Sequence, residues 1–333
     1  MRLSICIPTY NFGKFIGETL SSIIPQMDDS VEIVILDGAS SDNTPEVVRG
    51  FQEKSDAQIR YIRRDENGGF DRDTDFSVRY AQGEYVFLLS SDDVLLPGSV
   101  VRILEELKTA RDCYICGSVR TGINIKEGHR PIKYASIDTV TDFDFTKNGD
   151  RHKFFSQALT SHFFFSYLSG LVVLRSRWMT TPVDEIYFSS CYAHVARLFG
   201  MMKESFSIRY LPEPFLLNRS GNDSFSRQGK IHRMGISVFG YNKLADDFFG
   251  NSSYEAKEIR RVIRGEVRLR ALAMAKGGEQ KDHEIEMLDS IAKLLYQDKN
   301  IKNFIKFNLY KFLPKSISKM ARSIYENYYL SRR

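Results

Sequence analysis

Short apolar runs alternate with amphipathic segments through the first third of the chain, and this alternation narrows the fold more than any other feature. Residues 3–7, 32–36, 58–62, 86–89 and 114–119 each have the length and composition of a strand. After the first, Phe15, Ile16, Thr19, Leu20, Ile23 and Ile24 recur at three- and four-residue spacings, which draws one apolar stripe down a helix that stops at Pro25. A second helix follows residue 36, with Ser41 or Asp42 as its cap and Pro45 in its first turn, and another runs over about 97–110. Repeated strand–helix–strand units predict an α/β fold: a Rossmann-like, mostly parallel sheet with flanking helices.

The strand at 86–89 runs into Ser90-Ser91-Asp92-Asp93. Burying an unpaired charge is costly, so the two acids belong at the exposed carboxyl end of the strand, where open α/β sheets collect their ligands. A divalent cation carrying a phosphate suits them, because Mg²⁺ and Mn²⁺ prefer carboxylate oxygen. A plainer reading has Asp92 and Asp93 open the next helix, with Pro97 in its first turn. Other strands also end in polar clusters: Pro8-Thr9-Tyr10-Asn11, Asp37-Gly38-Ala39-Ser40-Ser41-Asp42 and Asn67-Gly68-Gly69-Phe70-Asp71-Arg72-Asp73. Together they offer the carboxylates, aromatic face and glycines that a nucleotide needs. Singly they are turn signals and a helix cap.

Taken in order, these segments resemble the nucleotide-binding half of family 2 glycosyltransferases with the GT-A fold. That family leads a strand into Pro-Thr-Tyr-Asn, here Pro8 to Asn11, and ends a second in Asp-Gly-Ser-x-Asp, here Asp37 to Asp42 with one extra residue. It closes with Ala-x-Gly-Glu-Tyr before an Asp-x-Asp-Asp element, here Ala81-Gln82-Gly83-Glu84-Tyr85 and Ser90 to Asp93. The resemblance implies that Pro8, Thr9, Tyr10, Asn11, Asp37, Gly69, Asp71, Ser91 and Asp92 contact a nucleotide-sugar donor. It also implies that Asp92 and Asp93 hold Mg²⁺ or Mn²⁺, with Asp93 counted among the catalytic groups. One departure matters: Ser90 stands where the family has the first acid of its Asp-x-Asp element. Fewer carboxylates lower the affinity for a cation and let it arrive with the nucleotide.

Beyond residue 120 the likeness weakens. The aromatic block Phe154-Phe155 through Phe163-Phe164-Phe165-Ser166-Tyr167 could stack on sugars, although core packing is the default for such a block. It precedes a strand entered through Gly170. Related enzymes open a later helix with a Glu-Asp pair that deprotonates the acceptor. By position, Cys191 and Tyr192 replace those acids, and His194 stands on the same turn. A histidine titrates near the working pH of a general base, so His194 is the expected base, with Asp184 and Glu185 as substitutes. A histidine in an apolar helix is also commonly structural. Inversion and retention of the anomeric centre both stay open.

At 333 residues the chain has room for more than one domain: 1–120 for the donor, 121–235 for the acceptor, and a helical region over 236–333. A content of 27% charged and 42% hydrophobic residues argues against disorder, and no 18-residue apolar run exists to span a bilayer. The chain opens in an apolar strand without a basic leader, which predicts a cytoplasmic protein. Cys113 and Cys116 form a lone C-x-x-C on a strand, which reads as packing. Residues 301–333 carry eight Lys or Arg against the single acid Glu326, so the net charge of +5 is local to this tail. Aromatic and aliphatic residues interleave with these charges, as in an amphipathic segment on an anionic membrane surface. A packed helical tail is the rival reading, and no RNA-recognition motif favours nucleic acid.

A membrane-surface transferase implies a lipid-linked oligosaccharide acceptor at the inner membrane. Within the family, Gly69-Phe70-Asp71-Arg72 and Tyr192-Ala193-His194-Val195 look most like bacterial O-antigen side-branch transferases of the abequosyltransferase type, which favours a CDP-sugar over UDP, GDP or dTDP donors. Two other classes compete. A sugar-nucleotide pyrophosphorylase would need a basic glycine-rich loop that residues 8–13 do not supply. A catalytically silent sugar-nucleotide or membrane-binding protein is suggested by Ser90 and the absent Glu-Asp pair.

Overall fold

The computed structural model describes the chain except residues 148, 224, 226, 227, 299 and 331–333, and gives the backbone alone for 325–330. Two compact units result, residues 1–222 and 223–333. The division expected at 235 falls inside a helix, Lys230–Phe249.

In the first unit, β1 (Leu3–Thr9), β2 (Val31–Asp37), β3 (Ile59–Arg63) and β4 (Tyr85–Leu88) are linked in chain order by α1 (Ile16–Ile23), α2 (Thr44–Lys54) and α3 (Phe70–Tyr80). These strands lie parallel in the order β3-β2-β1-β4. All seven residues of β1 and of β2 are buried, as continuous apolar runs covered on both faces should be. The stripe on α1 is buried through Ile16, Thr19, Leu20 and Ile23, and the chain leaves it by a 3₁₀ turn containing Pro25. Strand order reverses between β1 and β4, so the carboxyl ends of β1, β2 and β4 flank the crevice where such sheets bind ligands.

The remaining elements of this unit are β5 (Val94–Leu95), α4 (Ser99–Glu106), β6 (Cys113–Arg120), β7 (Arg130–Pro131), β8 (Thr141–Asp144), α5 (Asp150–Gln157), β9 (Leu171–Leu174), α6 (Arg175–Thr180), α7 (Ala193–Met201) and β10 (Ser207–Asn218). The sheet continues β4-β9-β6-β10-β5, with β7 on β6 and β8 on β10. The parallel arrangement expected from the sequence describes the first four strands, and the rest of the sheet is mixed. β9 runs antiparallel to both β4 and β6, whereas β6 and β10 are parallel. Entry to β9 needs Gly170, whose φ is +91° and where a Cβ would stand 2.9 Å from the Cys116 carbonyl oxygen.

Phe154, Phe155, Phe163, Phe164 and Phe165 are fully buried, with Phe154 stacked on Phe163 at 4.6 Å, so the aromatic block is core. Cys113 and Cys116 are buried, unbridged and three residues apart on β6, hence on opposite faces of the strand.

The second unit is helical: α8 (Lys230–Phe249), α9 (Tyr254–Glu266), α10 (Leu269–Lys276), α11 (Asp282–Leu295), α12 (Ile301–Phe312) and α13 (Lys315–Leu330). Ser253 and Asn300 cap α9 and α12 by accepting backbone N–H groups. Buried Arg260 ties α9 to Asn242 and Asp246 of α8. Among the described residues no helix is long and apolar enough to cross a membrane.

Candidate active site

Thr9 and Asp37 are register partners at the ends of β1 and β2. The buried Asp37 carboxylate accepts the Ser40 N–H at 2.8 Å and the Tyr61 hydroxyl at 2.5 Å, with the Arg63 guanidinium 3.8 Å away. Burial, and then the Asp37 carboxylate, push the Tyr61 phenol well above its ordinary range. The loops after β1 and β2 are tied together at Asn11, which adopts φ +59°. Its side-chain oxygen accepts the N–H groups of Ser41 at 2.8 Å and Asp42 at 3.3 Å. Asp42 in turn accepts from Gly13 and Thr44, which holds its carboxyl below the usual range despite partial burial and gives it a bracing role. Pro8 pairs with Leu36 inside the sheet, and Tyr10 is exposed at the rim. Thr9 Oγ1 is buried with no hydrogen-bond partner among the described residues, an arrangement that costs about 1–3 kcal/mol until a ligand relieves it.

Gly69, at φ +81°, turns the chain from the β3 loop into α3. Asp73 on that helix is buried against Arg64 at 2.8 Å, and burial raises its pKa while Arg64 pulls it down and Asp37 adds to the rise. A Cβ on Gly38 would lie 2.4 Å from the Asp73 carboxylate, so Gly38 keeps the space between strand end and helix. Asp73 was absent from the residues expected to touch the donor. Asp71, expected to contact the donor, accepts the backbone N–H of Cys191 at 2.8 Å and of Ala193 at 3.0 Å at the start of α7.

At the end of β4 the chain makes a turn into β5, so Asp92 and Asp93 do not open a helix. Both are buried. Asp93 accepts the hydroxyls of Tyr167 at 2.7 Å and Ser169 at 2.5 Å and the backbone N–H of Arg219 at 2.9 Å. Asp92 accepts from the Ser90 hydroxyl and the Asn222 amide. Burial, followed by the Asp92 charge, pushes Asp93 up to about 8 against these hydrogen bonds. Arg219 does not compensate the pair, because its guanidinium donates to the backbone carbonyls of Asp92 at 2.8 Å and Ile123 at 2.7 Å and pairs with Glu18. Ser91 packs on α1, its carbonyl accepting the Thr19 hydroxyl at 3.0 Å.

Two adjacent buried carboxylates without a basic partner among the described residues fit a divalent cation. Among those residues no three His, Cys, Asp or Glu side chains converge. A cation here would therefore rest on Asp92, Asp93 and the phosphates of its substrate, a common arrangement for Mg²⁺. Ser169, Arg219 and Asn222 escaped the sequence reading. The polar run after residue 218 was the available signal, yet Pro212 and Pro214 hid the strand that leads to it.

His194 is buried, and its Nε2–H donates to the Phe165 carbonyl at 3.0 Å. Burial lowers its pKa to about 4. It is thus a neutral core histidine, which corrects its expected role as a freely titrating base. Asp184 caps a short 3₁₀ turn by accepting the Ile186 N–H, and Glu185 pairs at the surface with Arg72 at 2.5 Å.

Comparison with known proteins agrees with this geometry. The profile of Glycosyl transferase family 2 matches residues 4–172. A protein of Salmonella typhimurium named Abequosyltransferase RfbV is 31% identical over 323 residues, covering 96% of this chain and 97% of that one. The crystal structure of S. aureus TarS 1–349 in complex with UDP-GlcNAc shares the fold at a TM-score of 0.62 and 14% identity, over 98% of this chain and 92% of that one. The mannosyltransferase PcManGT of Pyrobaculum calidifontis, in complex with GDP-Man and Mn²⁺, aligns at a TM-score of 0.51 and 15% identity, over 97% of this chain and 84% of that one. With the profile spanning the crevice-forming strands and the RfbV likeness running nearly end to end, this GT-A chain belongs to glycosyl transferase family 2 and is a glycosyltransferase of the hexosyl type.

Proposed function

We propose that the enzyme transfers abequose, or a related dideoxyhexose, from its CDP-sugar to a lipid-linked oligosaccharide during assembly of a lipopolysaccharide O-antigen. The observation that carries the donor site is the buried, uncompensated Asp92–Asp93 pair at the strand-order reversal. The end-to-end likeness to RfbV supports the choice of sugar. In this reading Thr9, Tyr10, Asn11 and Asp37 hold the nucleoside. Ser91 and Asp92 meet ribose and diphosphate, and Gly69 lets the α3 loop approach the sugar. Asp92 and Asp93 would hold the Mg²⁺ or Mn²⁺, which when bound supplies positive charge to the departing diphosphate. Residues 1–120 bind the donor and 121–235 position the acceptor. Positioning and preorganised charge then provide most of the acceleration.

Thermal unfolding with CDP, UDP, GDP and dTDP, each with Mn²⁺ or a chelator, tests this directly. Ligand at about a hundred times its Kd adds roughly 2.7 kcal/mol. A metal-dependent shift with CDP is the expected result. A shift with another nucleotide alone moves the donor class, and no shift with any removes the donor site.

The same reading places the enzyme peripherally on the cytoplasmic face of the inner membrane. Supporting it, Ile301, Phe304, Ile305, Leu309, Phe312, Ile317, Met320 and Ile324 are exposed on α12 and α13. Lys302, Lys306, Lys311, Lys315, Lys319 and Arg322 lie among them, with no acid between residues 301 and 324. Each cation near anionic headgroups is worth about 1 kcal/mol. Residues 331–333 and the side chains of 325–330, also part of the basic tail, lie outside the described residues. Co-sedimentation with phosphatidylglycerol vesicles should fall sharply in Phe304→Asp/Phe312→Asp. Unchanged binding would return the tail to ordinary packing.

A further inference from the structure

By the family resemblance, the start of α7 is where a Glu-Asp pair that deprotonates the acceptor would be expected, and this chain has Cys191 and Tyr192 there. A carboxylate nevertheless occupies that helix start, brought in from 120 residues upstream. We propose that Asp71 is the general base: standing at the amino end of α7 in place of the absent pair, it takes the proton of the acceptor hydroxyl. This rests on the glycosyltransfer reading above and adds the group that reading lacks.

The geometry supports this in three ways. Cys191 adopts φ +67°, a left-handed turn that lets the N–H groups of Cys191 and Ala193 meet the two oxygens of one carboxylate. A carboxylate has about four acceptor positions, and with the N–H groups of Cys191, Ala193 and Ser190 on three of them, one remains for a hydroxyl. Second, the same turn holds an unpaired acceptor. His194 commits Nε2–H to the Phe165 carbonyl, which leaves Nδ1 a buried lone-pair nitrogen without a partner among the described residues. Its ring packs edge-on against Phe70, the residue before Asp71, at 6.0 Å. A hydroxyl entering beside Asp71 would meet polar groups with unused capacity on both α3 and α7.

Third, the charged neighbours are engaged elsewhere. On α3, Arg72 pairs with Glu185, Asp73 with Arg64, and Asp75 with Arg79 and Arg197. From the α7 side, His194 is neutral and Arg197 faces Asp75, and the Cys191 thiol and Tyr192 phenol are the further titratable groups at the helix start. Burial alone raises the Asp71 pKa to about 6, against the N–H groups of Ala193, Cys191 and Ser190. A base of that strength is ionised at neutral pH yet able to hold a proton. In the step, the acceptor O–H bond breaks and its proton passes to Asp71. The freed oxygen bonds the anomeric carbon, and the bond from that carbon to the diphosphate oxygen breaks with its electron pair on the diphosphate. Solvent then recovers the proton.

The test follows CDP release from CDP-abequose with detergent-solubilised lipid-linked oligosaccharide. Asp71→Asn should lower kcat by about 100-fold or more. It should also erase the acidic limb of the wild-type kcat–pH profile, near pH 6, while the unfolding shift given by CDP with Mn²⁺ stays unchanged. Tyr192→Asp in the Asp71→Asn background, which restores an acid to the family's position, should recover part of the turnover. Wild-type kcat with the limb intact in Asp71→Asn overturns the proposal. Should that variant fail to fold, the wild-type profile decides: a kcat flat from about pH 5 to 7.5 overturns it and a limb near 6 supports it. Failure of the donor reading looks different, because wild type itself then releases no CDP. The comparison would then be run with the sugar of whichever nucleotide shifts unfolding.

Discussion

Asp93 and Asp71 are both buried carboxylates in the same unit, each accepting three hydrogen bonds, and their surroundings differ in charge. Asp93 receives two hydroxyls and one N–H but has Asp92 beside it, so its charge is opposed by burial and by a like neighbour. Asp71 receives backbone N–H groups and has no charged partner among the described residues, so burial is the penalty that raises its pKa. On the function proposed above, the first environment asks for a cation and the second for a proton. Residue type and burial are shared, and the neighbouring charge decides the role.

The largest effect that could break this contrast is at the cation site. Asp92→Ala and Asp93→Ala should each lower kcat by about 10²–10³ or more with circular dichroism unchanged, and Mn²⁺ should no longer add to the CDP-induced unfolding shift. Wild-type transfer in both variants would sink the cation assignment. Next in size is Asp71→Asn, which on the contrast drawn here lowers kcat about 100-fold yet leaves the Mn²⁺-dependent CDP shift in place. If it instead abolishes that shift, the two acids share one function.

A smaller change probes the hydroxyls. Tyr167→Phe removes one donor from Asp93, worth about 1 kcal/mol, and should weaken Mn²⁺–CDP binding about fivefold in calorimetric titration. Equal affinity would mean that Tyr167 serves packing only. The smallest effect is on stability and has opposite signs at the two groups that flank the start of α7. Asp71 is raised to about 6, so its contribution is full below its unfolded pKa near 4 and fades as pH rises through 6. His194 is lowered to about 4, so its contribution is full above 6.5 and is lost as pH falls toward 4. In urea titrations the stability difference between wild type and His194→Leu should therefore shrink on acidification from about pH 6.5 to 4. A difference independent of pH would show the ring to be exposed.

Much of this was legible before any coordinates. β1, β2 and β4 and the α1 stripe follow from apolar runs and periodicity because both signals are local. The acids at 92 and 93 were legible because a strand ends there. β10 was not, since Pro212 and Pro214 read as breakers. The structure absorbs them through register shifts between Leu211, Pro214 and Leu216, on a strand otherwise parallel to β6. Losing β10 also lost Arg219 and Asn222. The partner of Asp71 was hidden for another reason: backbone N–H groups carry no side-chain signature, and these lie 120 and 122 residues away. His194 read as a base because its type was visible and its burial was not.

The strand β9 has a consequence for how this enzyme is made. A ribosome that has released residues 1–120 has produced β4 and β6 but not the strand that separates them, and Leu88 and Cys116 await Gly170. Until then the inner edges of both strands are open, apolar and able to pair with each other or with a neighbouring chain. The first third of the chain is therefore not a module that completes itself during synthesis. A polypeptide stopped at residue 120 should aggregate, and the full chain should fold slowly for its size, because closure waits on a contact of long sequence separation.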